Sequence, residues 1–339
     1  MLLLVTPTAC HAHNDQNAAH RYTPTMGLKS ALIATMCGVA LVACGGSPDI
    51  QIVSSGVAPD DSPASDQSEP AETSVTTSSP SPETEPVGTA LTIALTPLPD
   101  RLADLDVAFD RHVDVGGISI VATTSTPESA VLHAANVMAQ YLDNDADGAV
   151  DDQRVLDALV ANEAMLVMAN DPDELESLDA QYDLFGQFGD AAQDLYAIET
   201  KPAGGFDAAL EEIHHLVLNF GWAEVHPGIL GQHEDSAISA AMDLARGGHF
   251  TEIPDSYPAH AWFTYDDWTC DYSCQLTEYT YWAHTSLLGA QIGRDDVTWE
   301  WRLITPEAMR GGDPAGTAIL SDPALQLPTV LPDGNYSPG

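Results

Sequence analysis

Positive charge is what this chain lacks. Its 339 residues hold 10 Lys and Arg against 51 Asp and Glu, a formal net charge of −41 with His taken as neutral. A surface of that sign repels phosphate backbones and anionic headgroups, which excludes nucleic acid as a partner and favours solubility and the accumulation of cations. Such acidity also suits saline surroundings. The chain has no Gly-x-Ser-x-Gly elbow, no glycine loop able to cradle phosphate and no dinucleotide fingerprint, so the enzyme classes built on them find no support. Cysteine is scarce at 5 residues, and the sequence shows no internal repeat.

What is present begins with an export signal. From Met26, "MGLKSALIATMCGVALVAC" has a Lys near its start, an apolar stretch from Ala31 to Val42 and small residues before a Cys, the three regions of a secretory signal. The apolar run is too short to span a membrane comfortably. Its end, Leu41-Val42-Ala43-Cys44-Gly45, resembles a bacterial lipobox, which implies that 26–43 is removed and that Cys44 is acylated and anchors the chain to a lipid bilayer. Residues 1–25 have no signal character and read as a mis-assigned start, with translation beginning at Met26. The expected location is therefore the cell envelope. Cys10 and Cys37 are lost on processing, which leaves Cys270 and Cys274 to pair in an oxidising compartment; "CDYSC" as half a zinc site lacks a second cysteine pair.

Residues 44–90 are Ser, Thr, Pro, Asp and Glu with almost no large apolar side chain, a composition that cannot offset the entropy of ordering and reads as a tether. From 91 to 339 the chain reads as one globular domain, and 44% hydrophobic residues are enough for a sizeable core. "GGISIVATTS" and "AMLVMAND" have the short β-branched or apolar runs of strands. "TPESAVLHAANVMAQYL", "QRVLDALVAN", "DAALEEIHHLVLNF" and "QLTEYTYWAHTSLLGAQIG" have the spacing of helices. This order predicts an α+β domain with a small sheet.

Between the first two helices lies "DNDADGAVDD". Asp143, Asp145 and Asp147 take positions one, three and five, and Gly148 position six, of an EF-hand-like calcium loop. Alternate carboxylates converge on one hard cation and glycine permits the turn. Position twelve holds Arg154 where a bidentate Glu is expected, so Asp151 or Asp152 must complete the shell. In an exported protein such a site stays filled with Ca2+ and works as a clip.

On a helix at about 100° per residue, "ALEEIHHLVLNFG" puts Ala209, Leu210, Ile213, Leu216, Val217 and Phe220 in one apolar stripe, with Glu211 and His215 opposite. Their row continues through Leu218 to Trp222, so the charged side is also expected to be covered. An unpaired charge there is costly, and a metal ion relieves it. These residues resemble the zincin metallopeptidases, of the gluzincin type, with a degenerate E-E-x-x-H helix. The resemblance covers this helix and, loosely, a later one. It implies a mixed zincin-like domain, with Glu211 and His215 as metal ligands, Glu212 as the general base that activates water, and Glu278 in "LTEYTYW" as the third ligand. With Glu where a His belongs, Mn or Fe competes better with Zn2+. Two readings remain open: a metal-dependent hydrolase of peptide or protein substrates, or a degenerate zincin that serves as a non-enzymatic, calcium-binding surface lipoprotein. A paired Glu-x-x-His di-iron bundle is disfavoured by the strands. His226, His233, His249 and His260 are further candidate ligands, His249 foremost, and Tyr265, Asp266 and Asp267 could add a phenol or carboxylates.

Overall fold

A computed structural model describes residues 89–201 and 205–339; the start at Met26, the signal segment 26–43, Cys44 and the tether as far as residue 88 lie outside the described residues. The described chain is α+β. One five-stranded sheet runs in sequence order β1 (Leu95–Thr96), β2 (Phe109–Val115), β3 (Ile118–Thr123), β4 (Met165–Ala169) and β5 (Ala192–Tyr196). β1, β2 and β3 are antiparallel neighbours, whereas β3–β4 and β4–β5 are parallel. Gly116 and Gly117, both at positive φ, close the tight β2–β3 turn.

Parallel neighbours need crossovers, and these lie on opposite faces of the sheet. From β3 the chain passes through α1 (Glu128–Leu142), the acidic loop and α2 (Gln153–Ala161) before β4. From β4 it passes through α3 (Pro172–Tyr182) to β5. Every residue of β3 and β4 is buried, as expected for strands covered on both sides. Ile118, Ile120, Ala122, Leu166, Met168 and Leu195 join the main core with α1 and α2. Val121, Met165, Val167 and Ala169 point the other way, into a smaller core with Leu175, Leu184 and Phe188.

On the main face α4 (Ala209–Val217) packs against α1 and β5, and α5 (Ala237–Arg246) and α6 (Tyr272–Leu288) close the layer. Two short helices, α7 (Pro306–Gly312) and α8 (Pro314–Leu320), pack on α6. One helix through Phe220 was expected, but α4 gives way at Leu218–Trp222 to a π-helical turn. Such a turn rotates the following residues about the axis. Phe220 is left half-buried while Leu218 and Trp222 are fully enclosed. Gly221 is required there: a Cβ would come 2.9 Å from Val155 Cγ1, so a side chain would force the π turn off α2.

Candidate metal centre

α6 supplies one wall of the site, and its start is fixed twice over. Asp271 caps it by accepting a hydrogen bond from Cys274 N at 2.9 Å, and a disulfide joins Cys270 to Cys274 with their Cα atoms 5.3 Å apart. The helix then crosses the core with many polar residues buried, and burial obliges each to find a partner. Gln275 accepts from Arg246 and donates to Cys270 O at 3.0 Å. Tyr279 OH donates to Asp313 Oδ2 at 2.6 Å and Trp282 Nε1 to Glu300 Oε1 at 2.7 Å. Glu278 breaks the pattern: it is 6% exposed, and its Oε2 accepts no hydrogen bond among the described residues.

That oxygen faces His215 of α4, whose Nε2 lies 3.7 Å away. Glu211, one turn before His215, completes the group, with one ligand atom from each residue lying within 4.8 Å of the others. A buried orphan oxygen beside an imidazole and a second carboxylate has the donor set and spacing of a divalent metal site, so the residues fit such an ion. Burial pushes the Glu278 carboxyl up to about 8; the negative charges of Glu211, Glu300 and Glu212 add to that, while His215 opposes it. A cation would remove the cost of holding this carboxylate ionised.

Glu212 stands beside the group. Its carboxylate accepts a hydrogen bond from the Gln193 side chain on β5 and lies 3.7 Å from His215 Nδ1. Gln193 ties α4 to the sheet through Glu212, a contact nothing in the pattern of "AQDLY" signals. Glu300, in "TWEWR", was also missed. It is 6% exposed and pushed up to about 8 by burial, and it accepts a hydrogen bond from Trp282, which sits one helical turn after Glu278 on α6. Tyr265 is 3% exposed, and burial together with Glu278, Glu300 and Glu211 drives its phenol far above its ordinary range, so it stays protonated.

The remaining candidate histidines sit elsewhere. His249 pairs with Asp243 at 2.7 Å and with Glu234 at 3.5 Å, its ring tilted 55° to that of Tyr272. His233 binds Pro227 O at 2.9 Å, burial lowers the pKa of His226, and His260 is exposed. Behind the site, His214 shares a cage with Tyr141, Trp222, Tyr281 and His284. His284 Nε2 reaches Pro328 O at 2.9 Å, so that nitrogen carries the proton and Nδ1 accepts from His214 Nε2 at 3.2 Å. These tautomers follow from the network.

Burial lowers the pKa of His284 to about 4. A base whose folded pKa is depressed binds more protons when unfolded, so stability is present above about pH 6.5 and is lost as pH falls from there toward about 4. The expected contribution is about 1.4 kcal/mol per pH unit, or roughly 3 kcal/mol across the window. Urea unfolding of the parent and of His284→Asn between pH 7 and pH 5 should differ in slope by close to one proton. Parallel pH profiles would contradict this assignment.

The acidic loop forms a second group. One oxygen from each of Asp143, Asp145 and Asp151 lies within 4.8 Å of the others. Asp143 is fully buried; its Oδ1 accepts from Asp147 N at 3.2 Å, and its Oδ2 from Gly148 N at 2.9 Å and Tyr336 OH at 2.6 Å. Asp151 Oδ2 accepts from Asn144 N at 2.9 Å, and burial raises its pKa, with Asp145, Asp143 and Asp147 adding to the rise. The other two expected ligands are placed differently. Asp147 Oδ1 accepts from Ala149 N at 2.8 Å, outside the convergent group. Asp152 turns away to cap α2 through Arg154 N at 3.0 Å and to pair with the Arg154 guanidinium at 2.6 Å. The Arg at position twelve thus keeps Asp152 for itself.

Compared with family models, with curated proteins and with solved structures, the chain matches none. Among the described residues no helix is long and apolar enough to cross a membrane.

Proposed function

We propose that the protein is an exported, lipid-anchored, calcium-stabilised lipoprotein that hydrolyses peptide bonds at a zincin-like centre made of Glu211, His215 and Glu278. The observation that supports it most is the convergence of these three side chains from two helices around a buried carboxylate oxygen with no hydrogen bond. A divalent transition metal held there would polarise a scissile carbonyl and acidify water. Two carboxylates and one imidazole form a hard shell, so Mn2+ or Fe2+ competes with Zn2+. Glu212 takes the proton from water: the Gln193 amide fixes its carboxylate beside His215 and, being neutral, leaves it able to accept one. Tyr265, held protonated, offers a hydrogen bond to negative charge developing on the substrate. Ca2+ at Asp143, Asp145 and Asp151 clips the crossover between β3 and β4. The Cys270–Cys274 disulfide supports export, and Cys44 supplies the anchor in this reading.

Assay on an unfolded protein such as casein tests the chemistry. Metal-loaded parent should cleave it, and Glu212→Gln should lose roughly 10²–10⁴-fold in rate while its metal content is unchanged. An equal rate would remove Glu212 from the base role. No cleavage by metal-loaded parent would favour the second reading, a non-enzymatic binding lipoprotein.

A further inference from the structure

Basic residues are few here, and those described mostly face an acid. Arg111 pairs with Asp110, Arg154 with Asp152, Arg246 with Asp243, Arg294 with Asp296 and Arg310 with Glu307. Arg302 does not. Its side chain makes one hydrogen bond, from NH1 to Ala259 O at 3.2 Å, and no carboxylate lies within ion-pairing distance among the described residues. With 51 acids against 10 bases, an arginine left to solvent is conspicuous on electrostatic grounds.

Arg302 lines an open pocket together with Tyr257, Tyr265, Asp266 and Trp299. Two irregular segments build it. Phe263 bridges Trp301, Thr264 N donates to Glu300 O at 2.8 Å, and Arg302 N donates to Trp262 O at 3.0 Å. Thr264 Oγ1 holds Trp299 O at 2.5 Å, and Tyr257 OH holds Tyr265 O at 3.0 Å. This ribbon presents different residues to its two sides. Trp299 is 56% exposed and Arg302 is exposed on the pocket side, while Glu300 turns inward to Trp282, one helical turn from Glu278. Tyr265 lines the pocket and feels the charges of Glu278, Glu300 and Glu211, so the pocket adjoins the metal centre.

We propose that this pocket is the subsite that receives a peptide bearing a free terminal carboxylate, with Arg302 taking the carboxylate and Trp299 and Tyr257 the adjoining side chain. The proposal rests on the hydrolase reading for its setting, because it makes the pocket the specificity element of that centre. A guanidinium presents planar paired donors that match a carboxylate, and the two aromatic rings give apolar area at low cost in side-chain entropy. Asp266 on the same wall confines the anion to the Arg302 side. Arg302 is the one basic residue lining this pocket, so its position decides where a carboxylate can sit.

The probe is N-acetyl-Ala-Phe-Ala as the free acid and as its C-terminal amide, followed by tryptophan fluorescence on the full chain, both metal-loaded and chelator-treated. The acid should bind at least about tenfold more tightly than the amide in both preparations, as expected for a charge-assisted bond. Arg302→Gln should erase the preference without changing metal content, Arg302→Lys should restore part of it, and Trp299→Ala should weaken both peptides. Equal binding of acid and amide by the parent, binding of neither, or a preference retained in Arg302→Gln would overturn the subsite. A metal-loaded protein with no preference loses the subsite and keeps the hydrolase reading. A protein that binds no transition metal yet shows the preference, lost in Arg302→Gln, keeps the subsite and loses the hydrolase.

Discussion

His215→Ala is expected to release the transition metal while leaving calcium in place. The imidazole is the one nitrogen in a group otherwise made of carboxylates, and its Nε2 lies 3.7 Å from the orphan oxygen of Glu278. Loss of a residue that merely orients a ligand costs about 10–100-fold in affinity, so loss of the ligand itself should cost more. Elemental analysis after gel filtration should give near-stoichiometric transition metal for the parent and background for the variant. The variant should still fold, because most of α4 packs through Ile213, Leu216 and Val217. Glu278 then loses the neighbour that favours its ionised form and stays protonated through neutral pH. Metal content in His215→Ala equal to that of the parent would place the ion somewhere else.

The second large effect is on stability. Calcium binding to the native loop alone stabilises by mass action, about 2.7 kcal/mol at one hundred times the dissociation constant. For a domain of this size that is a rise of roughly 5–10 °C in Tm. The arrangement accounts for where the effect acts: Asp143 and Asp151 sit between α1 and α2, and Gln326 Nε2 and Tyr336 OH bring the C-terminal segment onto the same loop through Asp151 O and Asp143. Asp145→Ala should abolish the calcium-dependent rise, because its carboxylate belongs to the convergent group and its one described bond is to Asp147 N. Asp152→Asn should keep the rise while lowering the baseline, since that side chain caps α2 and holds Arg154. Equal melting of the parent in calcium and in chelator would sink the clip.

Where the sequence could be read and where it could not follows from which signals are local. β3 and β4 announce themselves as short buried apolar runs, and the Glu211–His215 spacing puts both on one side of a helix. The placement of Glu278 opposite them came through a resemblance, since no local pattern says which later carboxylate turns inward. β2, "FDRHVDV", was overlooked because charges interrupt its alternation, although its partner β3 and the Gly116–Gly117 turn fix it as half of a hairpin. β5, "AQDLY", escaped for a similar reason: it is an edge strand carrying polar residues, one of which, Gln193, reaches Glu212. α3 and α5 also went unread, the first because it is acidic and mostly exposed, whereas the second was legible, since Ile238, Ala241, Met242 and Ala245 fall at regular helical spacing. The π turn after Val217 is dictated by packing of Gly221 against α2, a contact invisible to periodicity. Glu300 and Arg302 are two residues apart on a segment without regular structure, and only tertiary pairing with 262–264 sends one inward and the other out.

The account turns on one ion in one shell. X-ray absorption at the metal edge, measured on the purified full chain, tests it most directly. The account predicts a shell of nitrogen and oxygen with the multiple-scattering signature of a single imidazole, lost in His215→Ala and altered in Glu278→Gln. A shell containing sulfur, a shell with two imidazoles, or no edge above background would contradict it.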